Sequence, residues 1–376
     1  MSKNGNGEGG ITRHKKSGLY MARYTVQTPT GSKRKTLYGK TRREVDEKLT
    51  KAKADRDGGL VFDADNLKLG EYLGRWLADS VRDTVRPTTF ERYEQIVRLH
   101  IRPVLGKVKI KNLTSAHVRG LYREKLDAGL SPRSVQYVHV TLHKALKQAI
   151  ADGLIPRNAT EAVKPPQVRR EEMRPLTAEQ VRILFDAAKG DRLEALYVLA
   201  VTTGLRQGEL LGLKWDDIDP EVGTLQVRRT LTTAKGGPVL SAPKTKSSRR
   251  TVRLSQMALE ALTSHLDDQL GEIDRAGGLW RENGLIFASE SGEPLSRQHV
   301  TARRFKPLLK QAGLPKIRFH DLRHTCATLL LSKNVNPKVV SEMLGHASIA
   351  ITLDTYSHVL PTMQESAAKA MEEVLS

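Results

Sequence analysis

Three short islands in the second half of the chain hold the side chains best suited to chemistry. The first runs Thr202-Thr203-Gly204-Leu205-Arg206-Gln207-Gly208-Glu209-Leu210-Leu211. Its glycine-broken entry sets Arg206 near the start of a helix, where amide dipoles also favour an anion, so a phosphate is a natural ligand. Alone, such an arginine reads better as a surface partner of Glu209 or Asp216. Gly204, Gly208 and Gly212 lack the Lys-Ser/Thr of a phosphate-binding P-loop and read as close-packing positions. The second island is the basic run Pro243-Lys244-Thr245-Lys246-Ser247-Ser248-Arg249-Arg250. Strand-like Leu225-Gln226-Val227 before it and Thr251-Val252-Arg253-Leu254 after it predict a β-hairpin with the lysines at its tip. A lysine pressed against a phosphate loses its proton readily and can serve as an acid; a solvated contact with a nucleic-acid backbone is the plainer role.

The third island is Arg318-Phe319-His320-Asp321-Leu322-Arg323-His324-Thr325-Cys326, followed by Leu344-Gly345-His346 and by Thr355-Tyr356-Ser357-His358. On a helix, His320, Arg323 and His324 fall on neighbouring turns of one face. Gly345 reads as a helix terminus that leaves His346 free to point into a cleft. Tyr356 stands in a short polar stretch, not in an apolar stripe. His320 and His324 are four apart, as in zinc proteases, with His346 as a third possible ligand. No glutamate follows His320, however, and two arginines would repel the cation.

Taken in order, an Arg, a hairpin Lys, a His-x-x-Arg, a Leu-Gly-His and a downstream Tyr resemble the signature of the tyrosine recombinase (phage integrase) family. The match covers the catalytic half, from Leu176 to about Leu360. The resemblance implies that Tyr356 attacks a DNA phosphodiester, leaving a 3′-phosphotyrosyl bond and a free 5′-hydroxyl, so that bond energy is conserved for resealing. It assigns Arg206 and Arg323 to the non-bridging oxygens, with His346 as a further donor. Lys244, or Lys246 if the hairpin alignment slips, protonates the leaving oxygen, and His320 takes the tyrosine proton. Glu209 and Asp321 orient their neighbours, His324 holds its helix, and Cys326 packs in the core. No metal or cofactor is expected. Two alternatives keep the fold but change the activity: a catalytically inactive architectural DNA-binding protein, and a relaxing enzyme of the type IB topoisomerase kind.

The elements that must position these residues are set by composition and pattern. The chain has 376 residues, 39% hydrophobic and 28% charged, with 62 Lys and Arg against 42 Asp and Glu, a formal charge of +20. A surplus of that size favours polyanions through long-range attraction and counterion release. A single cysteine excludes an internal disulfide and a cysteine-rich zinc module. No apolar run approaches the ~18 residues of a membrane span, and the Gly/Asn-rich first ten residues do not form a secretory signal, so a cytoplasmic protein is expected; the family resemblance implies a bacterial or phage-encoded, nucleoid-associated one.

The fold expected is α+β, mostly α, in three domains. Residues 1–62 read as a basic sheet-plus-helix piece, with 15 Lys/Arg and 6 Asp/Glu in the first sixty residues. Strands at Gly18–Val26 and Lys33–Tyr38 flank a Pro/Gly turn, and a capping box of Thr41 and Glu44 starts a helix. This piece resembles the arm-binding domain of lambda-type integrases. Residues 63–168 read as a helical bundle, similar to the family's core-binding (SAM-like) domain. Helices are capped at Thr88 with Glu91, at Thr114 or Ser115, and at Ser131 ahead of Pro132, and Pro103 is expected to end one of them. A Pro-started, charge-rich linker, Pro165 to Glu172, leads to residues 169–376, a mainly helical catalytic domain with a small hairpin sheet and an amphipathic tail helix from Thr362. The partners implied are double-stranded DNA at core and arm sites, a homotetramer in the synapse and a DNA-bending accessory protein; the tail docks either on its own core or on a neighbouring protomer.

Overall fold

In a computed structural model of the chain, residues 10–28, 31–57, 66–168, 173–234, 237–242, 249–356 and 371–375 are described. Contacts divide the chain into two compact units, Met1–Arg170 and Glu171–Ser376. The first unit contains two separate apolar cores.

The N-terminal core lies between a three-stranded antiparallel sheet and one helix. Strands Tyr20–Thr28 and Gly31–Gly39 pair in the register Tyr20↔Gly39, and a short strand Ile11–Arg13, not foreseen from the pattern, pairs with the first of them. Helix Arg42–Asp57 buries Val45, Leu49 and Ala52 against Ala22 and Tyr24. Thr41 Oγ1 accepts the Glu44 amide at 3.2 Å as expected, and the Glu44 carboxylate accepts the Lys40 amide at 2.8 Å.

The helical core of residues 66–168 is built on fully buried Leu73, Ile101, Leu121, Leu142 and Leu146. Helices Ser115–Asp127 and Pro132–Ala151 start at the predicted caps, Thr114 and Ser131. Two boundaries differ from expectation. The helix carrying Thr88 begins at Pro87, with Arg86 at its cap position, because proline's fixed φ already suits the first turn. Pro103 does not end that helix. Its missing amide is accommodated by a wide π turn, Val97–Ile101, in which the Arg102 amide reaches five residues back to Val97, and the helix continues through Leu105.

The second unit is organised around helix Glu194–Thr203, apolar on nearly every face and therefore enclosed. A three-stranded sheet pairs Thr224–Val227 with Arg250–Arg253, in the register Leu225↔Val252. These strands were expected to be joined by one simple hairpin. Instead a second hairpin, Thr230–Ala234 with Gly237–Ser241, is inserted between them. The lysine-bearing segment follows that insert. Helices Asp321–Ser332, Pro337–Leu344 and Ile349–Tyr356 complete the unit. Of the anticipated tail helix, residues 371–375 are helical and exposed, and 357–370 lie outside the described residues. Among the described residues no helix is long and apolar enough to cross a membrane.

Candidate active site

Arg206 is set by a change of backbone hand. Helix Glu194–Thr203 ends at Gly204 with φ 63°, and a Cβ there would lie 2.5 Å from Leu344 Cδ2, so both conformation and space select glycine. The chain then extends, and Arg206 takes the cap position of the one-turn helix Gln207–Leu210. Glu209 ties the arrangement together: its carboxylate accepts the Arg206 amide at 3.0 Å and guanidinium at 2.8 Å, and the Arg250 guanidinium at 3.0 Å. Burial alone would raise the Glu209 pKa, but Arg250 and Arg206 hold it below the ordinary carboxylate range, so the group stays ionised. Arg250 also donates from Nε to the Met343 carbonyl at 2.6 Å, which links the sheet to the helix preceding His346.

Arg323 lies in helix Asp321–Ser332 with only 3% of its surface exposed. Its Nη1 donates to the Gly204 carbonyl at 2.9 Å, whereas its Nη2 has no protein partner among the described residues. Burial, then the charge of Arg206, lowers its pKa to about 10, so it remains a cation at neutral pH. A buried guanidinium with a spare donor is a strong anchor for an oxyanion. Asp321 fixes the start of this helix by accepting the Arg318 amide and guanidinium, each at 2.7 Å.

The three histidines are held neutral. His320 precedes the helix and its ring meets that of His324 edge-on at 5.1 Å. Burial is the largest cause that lowers both, His320 to about 4. Gly345 ends helix Pro337–Leu344 with φ 68°, as its sequence suggested, and His346 follows with Nδ1 2.7 Å from Thr352 Oγ1. Its pKa falls to about 4 through burial and then the charges of Arg323 and Arg206.

Tyr356 departs from expectation. Read as a residue of a polar stretch, it instead lies in helix Ile349–Tyr356, 1% exposed, in an apolar cluster with Ala327, Leu331, Val340 and Leu344. Its hydroxyl shares a 2.7 Å hydrogen bond with His324 Nδ1. Burial pushes the phenol up to about 12 against the pull of Arg323. Arg206, His320, Arg323, His324, His346 and Tyr356 line one cavity of about 590 Å³. Lys244 and Lys246 lie outside the described residues.

Sequence reasoning passed over two contributors. Arg250 was one residue of a basic run, and its burial at the end of a strand gave no periodic signal; the β-branched pair beside it, Thr251-Val252, was the available hint. His324 was assigned only to holding its helix, yet it makes the contact to the phenol. Cys326 is buried, as expected, and its thiol is pushed up to about 12, which removes it as a nucleophile. Among the described residues no group of three or more His, Cys, Asp or Glu side chains is placed to hold a metal ion.

A chain with this cavity and this helical scaffold belongs to a known class. Residues 174–363 match the phage integrase family, and residues 68–126 match the phage integrase N-terminal SAM-like domain. A tyrosine recombinase XerC-like protein of Caldanaerobacter subterraneus is 33% identical over 360 residues, spanning 91% of this chain and 92% of its own length. Among solved structures, a variant of the Tn1549 transposon integrase in complex with a circular intermediate DNA superposes with a TM-score of 0.69 at 23% identity, covering 82% of this chain and 100% of that one. A lambda integrase tetramer bound to a Holliday junction gives 0.59 at 26% identity, covering 90% and 95%. This chain therefore belongs to the phage integrase family, and it is a tyrosine-type site-specific DNA recombinase of a mobile element.

Proposed function

We propose that the chain cuts and rejoins DNA by using Tyr356 as the nucleophile and Arg206, Arg323 and His346 as the groups that bind the scissile phosphate. The observation that carries this reading is the convergence of both guanidiniums, the imidazoles and the phenol on one cavity, with one guanidinium nitrogen of Arg323 unpaired among the described residues. Two cations in a low-dielectric pocket stabilise the charge that grows on a pentacoordinate phosphorus. The resemblance gives the phenolic proton to His320, whose ring packs edge-on against that of His324. Lys244, with Lys246 as the alternative, protonates the 5′-oxygen as it leaves. Positive side chains supply the charge that a metal would otherwise provide.

A nicked duplex spanning the junction of the mobile element tests this. The wild-type chain is expected to form a protein–DNA adduct resistant to denaturant, and Tyr356→Phe to bind the same duplex without forming it. An adduct of equal yield in the Phe variant would assign the nucleophile elsewhere. Exchange between two labelled duplexes then separates recombination from simple relaxation.

The surplus of positive charge supports a double-stranded DNA partner. We propose that residues 1–62 read arm-type repeats, that residues 63–168 grip the core site, and that 169–376 carry out the chemistry. Four copies act together in the synapse, in the bacterial cytoplasm, helped by a protein that bends DNA. Deleting the residues before Asn66 is expected to spare cleavage of a core site while weakening binding to distant repeats in a gel-shift titration; equal affinity for those repeats would remove the arm-binding role.

A further inference from the structure

We infer that His324 is the group that receives the proton of Tyr356 as its oxygen attacks phosphorus, an inference that rests on Tyr356 being the nucleophile. The argument begins with contact. A proton leaves an oxygen along an existing hydrogen bond, and the base must stand within about 3.2 Å or be reached through one water. His324 Nδ1 is 2.7 Å from the phenolic oxygen, and among the described residues it is the hydroxyl's protein partner. Tyr356 is 1% exposed, so bulk solvent does not stand ready to take the proton. His320, the histidine that the family resemblance favours for this task, packs edge-on against His324 rather than bonding to the phenol.

The local helix explains why the second histidine, not the first, makes the contact. Helix Asp321–Ser332 begins after His320, which sits at its cap, while His324 is one full turn inside. A side chain one turn in is directed by regular helix geometry, and here it meets a residue 32 positions later in the chain at the end of helix Ile349–Tyr356. The ring centroids of His324 and Tyr356 are 5.8 Å apart.

The charge state suits the role. Burial lowers the His324 pKa, Asp321 raises it, and Arg318 and Arg323 lower it. His320 touches it, His346 feels its charge, and Tyr356 bonds to it. The sum leaves a neutral ring at pH 7, and the role assigns its proton to Nε2, so that Nδ1 accepts from the phenol. The phenol, pushed up to about 12, does not ionise unaided at that pH.

The step balances without any added reactant. As the bond from Tyr356 Oη to phosphorus forms and the bond from phosphorus to O5′ breaks, the phenolic proton passes to His324 Nδ1, and O5′ leaves with a proton from the lysine acid proposed above. On resealing, the 5′-hydroxyl attacks the phosphotyrosine, its proton returns to the lysine, and His324 gives its proton back to Oη.

The test measures single-turnover adduct formation from pH 5 to 9 on the nicked junction duplex. His324→Gln keeps a hydrogen bond to the phenol but cannot take a proton, so it is expected to cleave about 10²-fold more slowly. The wild-type rate should be level near neutral pH and fall in acid as His324 protonates, whereas the Gln variant should gain rate with pH throughout. Replacing the bridging 5′-oxygen by sulfur, a better leaving group, should rescue Lys244→Ala and leave His324→Gln slow. Cleavage by His324→Gln at the wild-type rate, a faster rate, or rescue by sulfur would each overturn the inference. Nitrogen-15 spectra of the histidine-labelled wild-type protein give a check that needs no variant: a proton on Nδ1 of His324 would also overturn it. Failure of Tyr356 as nucleophile reads out differently, as an adduct that survives in Tyr356→Phe.

Discussion

In the helical core of residues 66–168 the buried polar side chains are Thr141, Asn158 and Thr160, all uncharged, whereas between residues 173 and 356 burial reaches Glu209, Asp217, Asp321 and Arg323. The helical core keeps its charges outside. Arg98 and Glu94, an (i, i+4) pair, are 59% and 41% exposed. The catalytic unit encloses charges and must offset their lost hydration with close partners. Arg192 with Glu272 and Arg229 with Asp217 do this outside the cavity lining, and Glu209 does it for two arginines at once. The lesson is that one region uses apolar packing for stability alone, while the other uses it to create a low-dielectric site in which cations act strongly on a phosphate.

The largest effect should come from Arg323→Ala, which removes the enclosed donor. Adduct formation is expected to fall about 10³-fold, in the range seen for loss of one transition-state donor. A loss below tenfold would erase the contrast between the two regions. Next comes Glu209→Gln, which leaves Arg206 and Arg250 without their shared counter-charge and should cost about 3 kcal/mol in urea unfolding at pH 7. The folded pKa of Glu209 lies below its unfolded value. Its contribution is therefore full above the ordinary carboxylate pKa and is lost as pH falls through the depressed one, so the gap between wild type and variant should close only in acid. The smallest effect belongs to Arg98→Ala on the helical surface, about 0.5 kcal/mol or less in the same measurement and smaller still in high salt. A cost equal to that of Glu209→Gln would mean that surface and enclosed pairs do not differ.

Much of this was legible because local chemistry is strong where it is simple. Ser131 ahead of Pro132, Thr114 ahead of Ser115, and Gly345 after Leu344 each fix a helix end through a cap or a left-handed turn, and each lies where the pattern put it. Cavity residues from distant stretches, Arg206, Arg323, His346 and Tyr356, were recognised by their order, and they share one cavity. Other features depend on tertiary context. Thr88 offered a cap, but Pro87 had already begun the helix. Pro103 looked like a terminator, yet a π turn absorbed the missing amide because the surrounding core holds Ile101 and Leu105 in place. The inserted hairpin went unread although Gly236-Gly237-Pro238, after the Thr-rich run Thr230 to Thr233, is a turn signal. Which of two histidines meets the phenol depends on where the helix starts, a boundary that spacing alone cannot resolve to one residue.

The enclosure of Tyr356 has a consequence for how the cell's own chemistry meets this enzyme. Nitrating or iodinating reagents modify phenols in proportion to their access, and Tyr38 stands 46% exposed while Tyr356 is 1% exposed. The oxygen proposed to attack phosphorus is thus shielded from the oxidants and electrophiles that would disable it.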